Sequence, residues 1–320
     1  MTDSSNRFWI SLALVGVAAV WGSTFIMVKD AVAAYPLYSF LGVRFAIAVV
    51  VFLAIFPRSI KGMLSPRTLL VGLLAGVLLT GGYVFQTWGL QDTSASKAAF
   101  ITGMFVVITP ILQAVLLRRP PKLITILGVG LAVTGLWLLS GSSGGGWNIG
   151  DTRVLLCAFA YASHMIVLGS MGRDHDPMEL TLVQLLTVAV ACAGIAVASE
   201  PLSAPTGVSL WVALLVTGVL ASAVAFWVQT VAQRYISPTQ TALILILEPA
   251  FGGLFGWLAG EALGARGLAG AALILSGMVA AELLGAAPAE RGEQVVYEPS
   301  IEAMPVPMVE QVDDAAKADG

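Results

Sequence analysis

Charge is scarce in this sequence. Only 11% of its 320 residues are Asp, Glu, Lys or Arg, whereas a soluble globular chain carries about a quarter. So little charge cannot cover a water-facing surface, which excludes an ordinary soluble fold. Histidine and cysteine are nearly missing, with two of each. Cys157 and Cys192 fall inside apolar runs, lack metal-ligand spacing and are expected to pack as small apolar side chains. No metal cluster and no cofactor are expected. The phosphate-binding loop of nucleotide hydrolases is absent, which argues against direct ATP drive. No basic stripe with interleaved aromatics occurs, so no nucleic-acid partner is expected.

Apolar residues are what the chain has, at 58%. Mean hydropathy is +0.89. They are gathered into runs of about 18–22 residues, each long enough for a hydrocarbon core about 30 Å thick. Ten spans are predicted: Phe8–Lys29, Leu37–Phe56, Leu69–Leu90, Ser96–Leu117, Leu123–Ser140, Val154–Met171, Met178–Ala198, Leu210–Gln229, Thr239–Ala259 and Leu268–Leu284. Each should be a helix, because a bilayer leaves backbone polar groups no partner outside the segment. The expected class is therefore an all-α transmembrane protein in the inner (plasma) membrane. Arg7 before an apolar run resembles a signal peptide, but the run is too long and Trp21–Phe25 is a poor cleavage site, so it is read as the first helix.

Basic residues set the expected orientation. With a cytoplasmic N-terminus the inner segments and tail hold eleven Lys and Arg and the outer ends four: Lys29, Lys97, Arg153 and Arg266. Both termini are then cytoplasmic. The low pI of 5.4 comes from the tail, residues 286–320, with eight acids against two bases. Acidic and poor in aromatics, this tail is expected to be disordered.

The chain also matches itself. Trp21–Phe25 lies over Tyr161–Met165, Pro36–Leu41 over Pro177–Leu182, Gln86-Thr87 over Gln229-Thr230, Ser94–Ala99 over Ser237–Ala242, and Gly128 over Gly270. The offsets are 140, 141, 143, 143 and 142. A glycine-rich link, residues 141–150, separates a first unit (1–140) from a second (151–285). Five spans per unit put the second into the membrane upside down. Such inverted-topology repeats bind substrate near the midplane, at the repeat interface, and support alternating access. The prediction is ten helices in two inverted five-helix repeats around a central cavity.

Trp21-Gly-Ser-Thr-Phe-Ile-Met-Val-Lys29 resembles the opening of the drug/metabolite transporter superfamily, and within it the ten-helix EamA family. Arg44-Phe45, Gly89–Ile101, Leu247-Glu-Pro249, Gly260-Glu261 and Gly270 agree with it. The resemblance covers Phe8 to about Leu284. It implies transport of small metabolites, often export of amino acids or related compounds. One departure stands out. Such sequences commonly carry an acid near the end of the fourth helix, where this chain has Arg118-Arg119-Pro120-Pro121.

Ionisable groups at membrane depth are costly and need a partner or a task. Glu248 falls mid-span before Pro249, which removes a backbone donor and kinks a helix. The pair suits a proton, a cation or an ammonium group, or else Glu248 is a neutral structural residue. His164 either titrates or hydrogen-bonds. Glu248 and His164 are the proton-coupling candidates. Arg44 either holds a carboxylate, of the substrate or of Glu248, or lies nearer a membrane end. Gln86, Gln184 and Gln229 are substrate contacts or interhelical glue. Trp21, Ser23, Thr24, Phe25 and Tyr161 complete the candidate substrate site, with Trp88 and Trp227 as further possible walls. Lys29 and Lys97 are expected to anchor helix ends. Pro110 and Pro249 are candidate gating hinges. Gly72-x-x-x-Gly76 and Gly252-x-x-x-Gly256-x-x-x-Gly260 permit close packing, inside the fold or at a homodimer face. The fifth and tenth helices should brace the cavity or form that dimer contact.

The expected partners are therefore a small-molecule substrate, the lipid bilayer and a second copy. A non-transporting membrane scaffold would leave the repeat idle. A membrane-embedded enzyme would need acids or histidines clustered at one depth, and these are scattered.

Overall fold

The computed structural model describes residues 3–116, 123–140, 146–172, 174–235, 244–245 and 247–285. The predicted acidic tail, Arg118–Pro121, the start of the ninth span at Thr239, Ser237–Ala242 of the repeat and residues 141–145 of the glycine-rich link lie outside them. Every described element is helical, and no strand occurs among the described residues.

Helix α1 spans Asp3–Ala34, α2 Leu37–Ile55, α3 Ser59–Met63, α4 Pro66–Leu90, α5 Ala95–Gly103, α6 Phe105–Leu116 and α7 Leu123–Ser140. Then follow α8 (Ile149–Met171), α9 (Pro177–Ser199), α10 (Val208–Leu215), a π-helical stretch Val216–Val224, α11 (Ala225–Tyr235), α12 (Leu247–Leu258) and α13 (Gly264–Gly285). Among the described residues, six stretches are long and apolar enough to cross a membrane: Phe8–Ala34, Leu37–Ile55, Pro66–Leu90, Ile149–Met171, Pro177–Ser199 and Val208–Ala232. Ala95–Thr109, Ile126–Leu139 and Gly264–Ala280 are shorter apolar helices.

Side chains start several helices where the sequence supplies a cap. Ser65 accepts from Thr68 N–H with Pro66 in the first helical position, where a missing donor costs nothing. Asp176 does the same before Pro177. Asn148 and Asp151 form a reciprocal capping box, so α8 begins inside the stretch read as linker.

Two predicted spans need correction. The fourth is broken at Met104 into α5 and α6, while α6 runs on through Pro110. The eighth carries a nine-residue π-helix. Glu248 and Pro249 lie on α12, and Ile244 and Leu245 before it are helical as well.

Helix pairs pack through small residues. α7 runs along α13, α4 along α8, α2 along α9 and α1 along α12. The glycine strings are used inside the fold. A Cβ on Gly72 would meet Val183, and one on Gly76 would meet Thr187, both on α9. Gly252 abuts Ala99 and Gly256 abuts Ser96, both on α5. α7 and α13, expected to brace the cavity or meet a second copy, lie against each other.

Carboxylates tie the two halves together near several helix ends. The backbone N–H groups of Tyr38 and Ser39 and the Ser39 hydroxyl donate to Glu200, at 2.7–2.8 Å. The N–H groups of Ala95 and Ser96 donate to Glu261 at 2.9 and 2.8 Å, and Lys29 Nζ lies 3.4 Å from it. Lys97 is not the exposed anchor expected of it. It is buried, 2.7 Å from the buried Asp151, which also accepts from the Thr93 hydroxyl at 2.6 Å.

Candidate functional site

A cavity with about 570 Å³ of empty space, part of it open to solvent, lies among α1, α2, α4, α6, α8, α11 and α12. Of the eleven residues predicted to bind substrate, nine line it: Trp21, Thr24, Phe25, Arg44, Gln86, Tyr161, His164, Gln229 and Glu248.

Two do not. The Ser23 hydroxyl donates to the Val20 carbonyl of its own helix at 2.7 Å, which satisfies it locally. Gln184 stands behind His164, with its Oε1 2.6 Å from His164 Nε2. Leu79, Tyr83, Phe105, Met165, Phe226 and Leu245 complete the lining. Trp88 and Trp227 stay out of it. Trp88 is partly exposed beneath the Arg153 guanidinium, 4.0 Å from its ring centre, and Trp227 packs on Phe56. Of the residues taken as hinges, Pro249 does not line the cavity.

Arg44 is 2% exposed. Its Nε donates to the Ser222 hydroxyl at 3.1 Å and its Nη2 to the Tyr83 hydroxyl at 3.3 Å, with the guanidinium 4.6 Å from the Tyr83 ring centre. The π-helix makes the first contact possible, since its wider turn carries Ser222. The Ala221 carbonyl in the same stretch accepts from Trp21 Nε1 at 2.8 Å. π-Helical turns of this kind recur at functional sites.

Glu248 is 6% exposed and has no hydrogen-bond partner among the described residues. It does not pair with Arg44, and neither residue meets an opposite charge within ion-pairing distance among those residues. A buried charge without a counter-ion is costly. Here one of each sign faces the same cavity, both beside polar groups whose capacity is part-used. Gln86 Nε2 donates to the Thr102 hydroxyl at 3.2 Å, and Gln229 Nε2 approaches Met165 Sδ at 3.6 Å. Aromatic rings close the apolar side, with Tyr83 meeting Tyr161 and Phe226 edge-on and Trp21 tilted against Phe226.

The missed lining residues were mostly apolar ones in helices apolar on every face, where nothing sets a cavity position apart. Tyr83 was detectable. It precedes Gln86 by three residues and so shares its helix face.

Comparison with known proteins agrees with this architecture. The profile of the EamA-like transporter family matches residues 7–141 and again residues 148–281. An uncharacterized transporter of Archaeoglobus fulgidus is 33% identical over 253 residues, 79% of each chain. The uncharacterized transporter YoaV of Bacillus subtilis is 22% identical over 259 residues, covering 78% of this chain and 88% of its own. A crystal structure of a protein with 20% identity superposes with a TM-score of 0.66 over 88% of this chain and 98% of that one, which speaks for the fold alone. Glu248 and Arg44 thus lie in a multi-pass membrane protein, and the chain belongs to the EamA-like transporter family of the drug/metabolite transporter superfamily.

Proposed function

We propose that this transporter moves a small metabolite carrying both an anionic and a cationic group, such as an amino acid, by alternating access through the cavity between its halves. The carrying observation is the pair of buried, unneutralised side chains on one cavity, Arg44 and Glu248. A substrate carboxylate is the natural partner for a guanidinium with donors to spare. A substrate ammonium, or a proton, is the natural partner for Glu248. Competition of the two for one carboxylate couples substrate movement to a proton in the opposite direction. A simple amine would use Glu248 alone, and a facilitator would use neither titration.

Alternating access rests on reading the chain as ten spans in two inverted five-helix repeats. The two family matches begin 141 residues apart and end 140 apart, which agrees with the internal offsets. The glycine contacts between α7 and α13 also favour it. Gly135 abuts Gly270 and Gly128 abuts Gly277. Residue numbers rise along one helix as they fall along the other, so the two run antiparallel. Both termini are cytoplasmic in this reading, and the membrane is the inner one, with export the direction that the family resemblance implies.

Purified protein in liposomes tests the substrate class. Saturable flux is expected for amino acids, with weaker uptake of analogues lacking the amino or the carboxyl group. Losing one charge-assisted hydrogen bond should raise the half-saturating concentration about tenfold or more. Arg44→Gln should remove the preference for the carboxylate, and Glu248→Gln the effect of a pH gradient. Equal handling of all analogues by the unmodified protein would contradict the proposal.

A further inference from the structure

Gln184 was expected to touch substrate, yet it lies behind the cavity wall. Its two polar atoms are both engaged. Nε2 donates to the Leu180 carbonyl at 3.0 Å, and Oε1 sits 2.6 Å from His164 Nε2. The residue is 3% exposed. The amide cannot be turned over, because that would set its oxygen against the Leu180 carbonyl oxygen, two acceptors with no proton between them. Oε1 must therefore face His164, and an amide oxygen only accepts. The proton in that short contact belongs to His164 Nε2.

A neutral imidazole has one donor and one acceptor nitrogen, and the bond made by one fixes the other. With the proton on Nε2, Nδ1 carries the lone pair. Nδ1 has no hydrogen-bond partner among the described residues, and His164 lines the cavity. We infer that Gln184 is a positioning residue that holds neutral His164 in its Nε2–H form, so that Nδ1 accepts a hydrogen bond from the donor group of the substrate. This rests on the reading of the cavity as the substrate site. It places two acceptors, His164 Nδ1 and the Glu248 carboxylate, on the elements of the second half, while the donors of Arg44 come from the first. The ligand's orientation between the halves follows from that polarity.

The chain has only two histidines, so ¹⁵N-histidine NMR of the full-length protein in bilayers, compared with His175→Gln, isolates the His164 ring. The expected spectrum has a protonated Nε2 and an unprotonated Nδ1. A protonated Nδ1, in either the other tautomer or the imidazolium, overturns the assignment. This outcome does not depend on transport and survives failure of the substrate reading. In flux assays Gln184→Met should raise the half-saturating concentration of an amine-bearing substrate about tenfold, the worth of one good hydrogen bond, and shift its des-amino analogue by less than about twofold. Equal losses for both compounds would make Gln184 merely structural and overturn the inference.

Discussion

Gly135 and Gly270 meet backbone to backbone: a Cβ on the first would lie 2.5 Å from the carbonyl oxygen of the second, and a Cβ on the second 2.6 Å from that of the first. The contact is reciprocal, and farther along α7 and α13 a Cβ on Gly277 would meet the carbonyl oxygen of Gly128. In a bilayer no hydrophobic force presses helices together, so close backbone approach through small residues has to supply the attraction.

Gly135→Leu and Gly270→Leu should each therefore loosen this pair. The neighbour is backbone, which cannot swing aside as a long side chain would. Overpacking of this kind costs about 1–3 kcal/mol. The check is thermal unfolding in detergent, where both variants should melt earlier. An unchanged melting temperature for both would mean that α7 and α13 slide freely.

Lys97 and Asp151 make a second pair whose removal has a clear sign. Both are buried and 2.7 Å apart. Lys97→Met leaves a buried carboxylate with fewer partners, which costs about 3–5 kcal/mol when a buried pair is broken from one side. The double variant Lys97→Met/Asp151→Leu strands no charge and should recover much of that loss. Melting curves of the two variants decide, and a double variant no better than the single one would show that the pair is not the source of the penalty.

Glu261 should impose an acid limit on stability. Burial alone would raise its carboxyl pKa, but the backbone N–H groups of Ser96 and Ala95, with Lys29 beyond them, outweigh that and hold it below the ordinary range. A depressed folded-state pKa means that the carboxylate stabilises the fold above the unfolded value, about 4.3. That contribution fades as pH falls through the lower, folded value. Glu261→Gln should flatten the acid limb of a stability profile and leave its neutral limb parallel to that of the unmodified chain. An acid limb of unchanged steepness would remove Glu261 as its cause.

The legibility of this structure in its sequence was uneven, for physical reasons. Helix existence was plain, because a lipid-facing backbone permits little else. Charge at depth drew attention to Arg44 and Glu248, and both line the cavity. Their surroundings were not readable. Ser222 reaches Arg44 only through a π-helix, which no composition or period announces. Lys97 looked like a helix-end anchor, because α5 starts there and lysines snorkel. What defeats that reading is Asp151, 54 residues on in the chain, although Asn148-x-x-Asp151 is itself a recognisable helix start. Gln184 and Ser23 were named from polarity alone, and polarity does not tell a cavity wall from the layer behind it.

Accessibility of the cavity from both membrane faces tests alternating access most directly. In a chain with Cys157 and Cys192 replaced, single cysteines at Gln86 and at Gln229 would be reacted with a membrane-impermeant thiol reagent applied to either side of sealed vesicles. The account predicts labelling of these cysteines from each side in turn as the substrate gradient is reversed, with protection by saturating substrate. Failure of both positions to react from either side would contradict it.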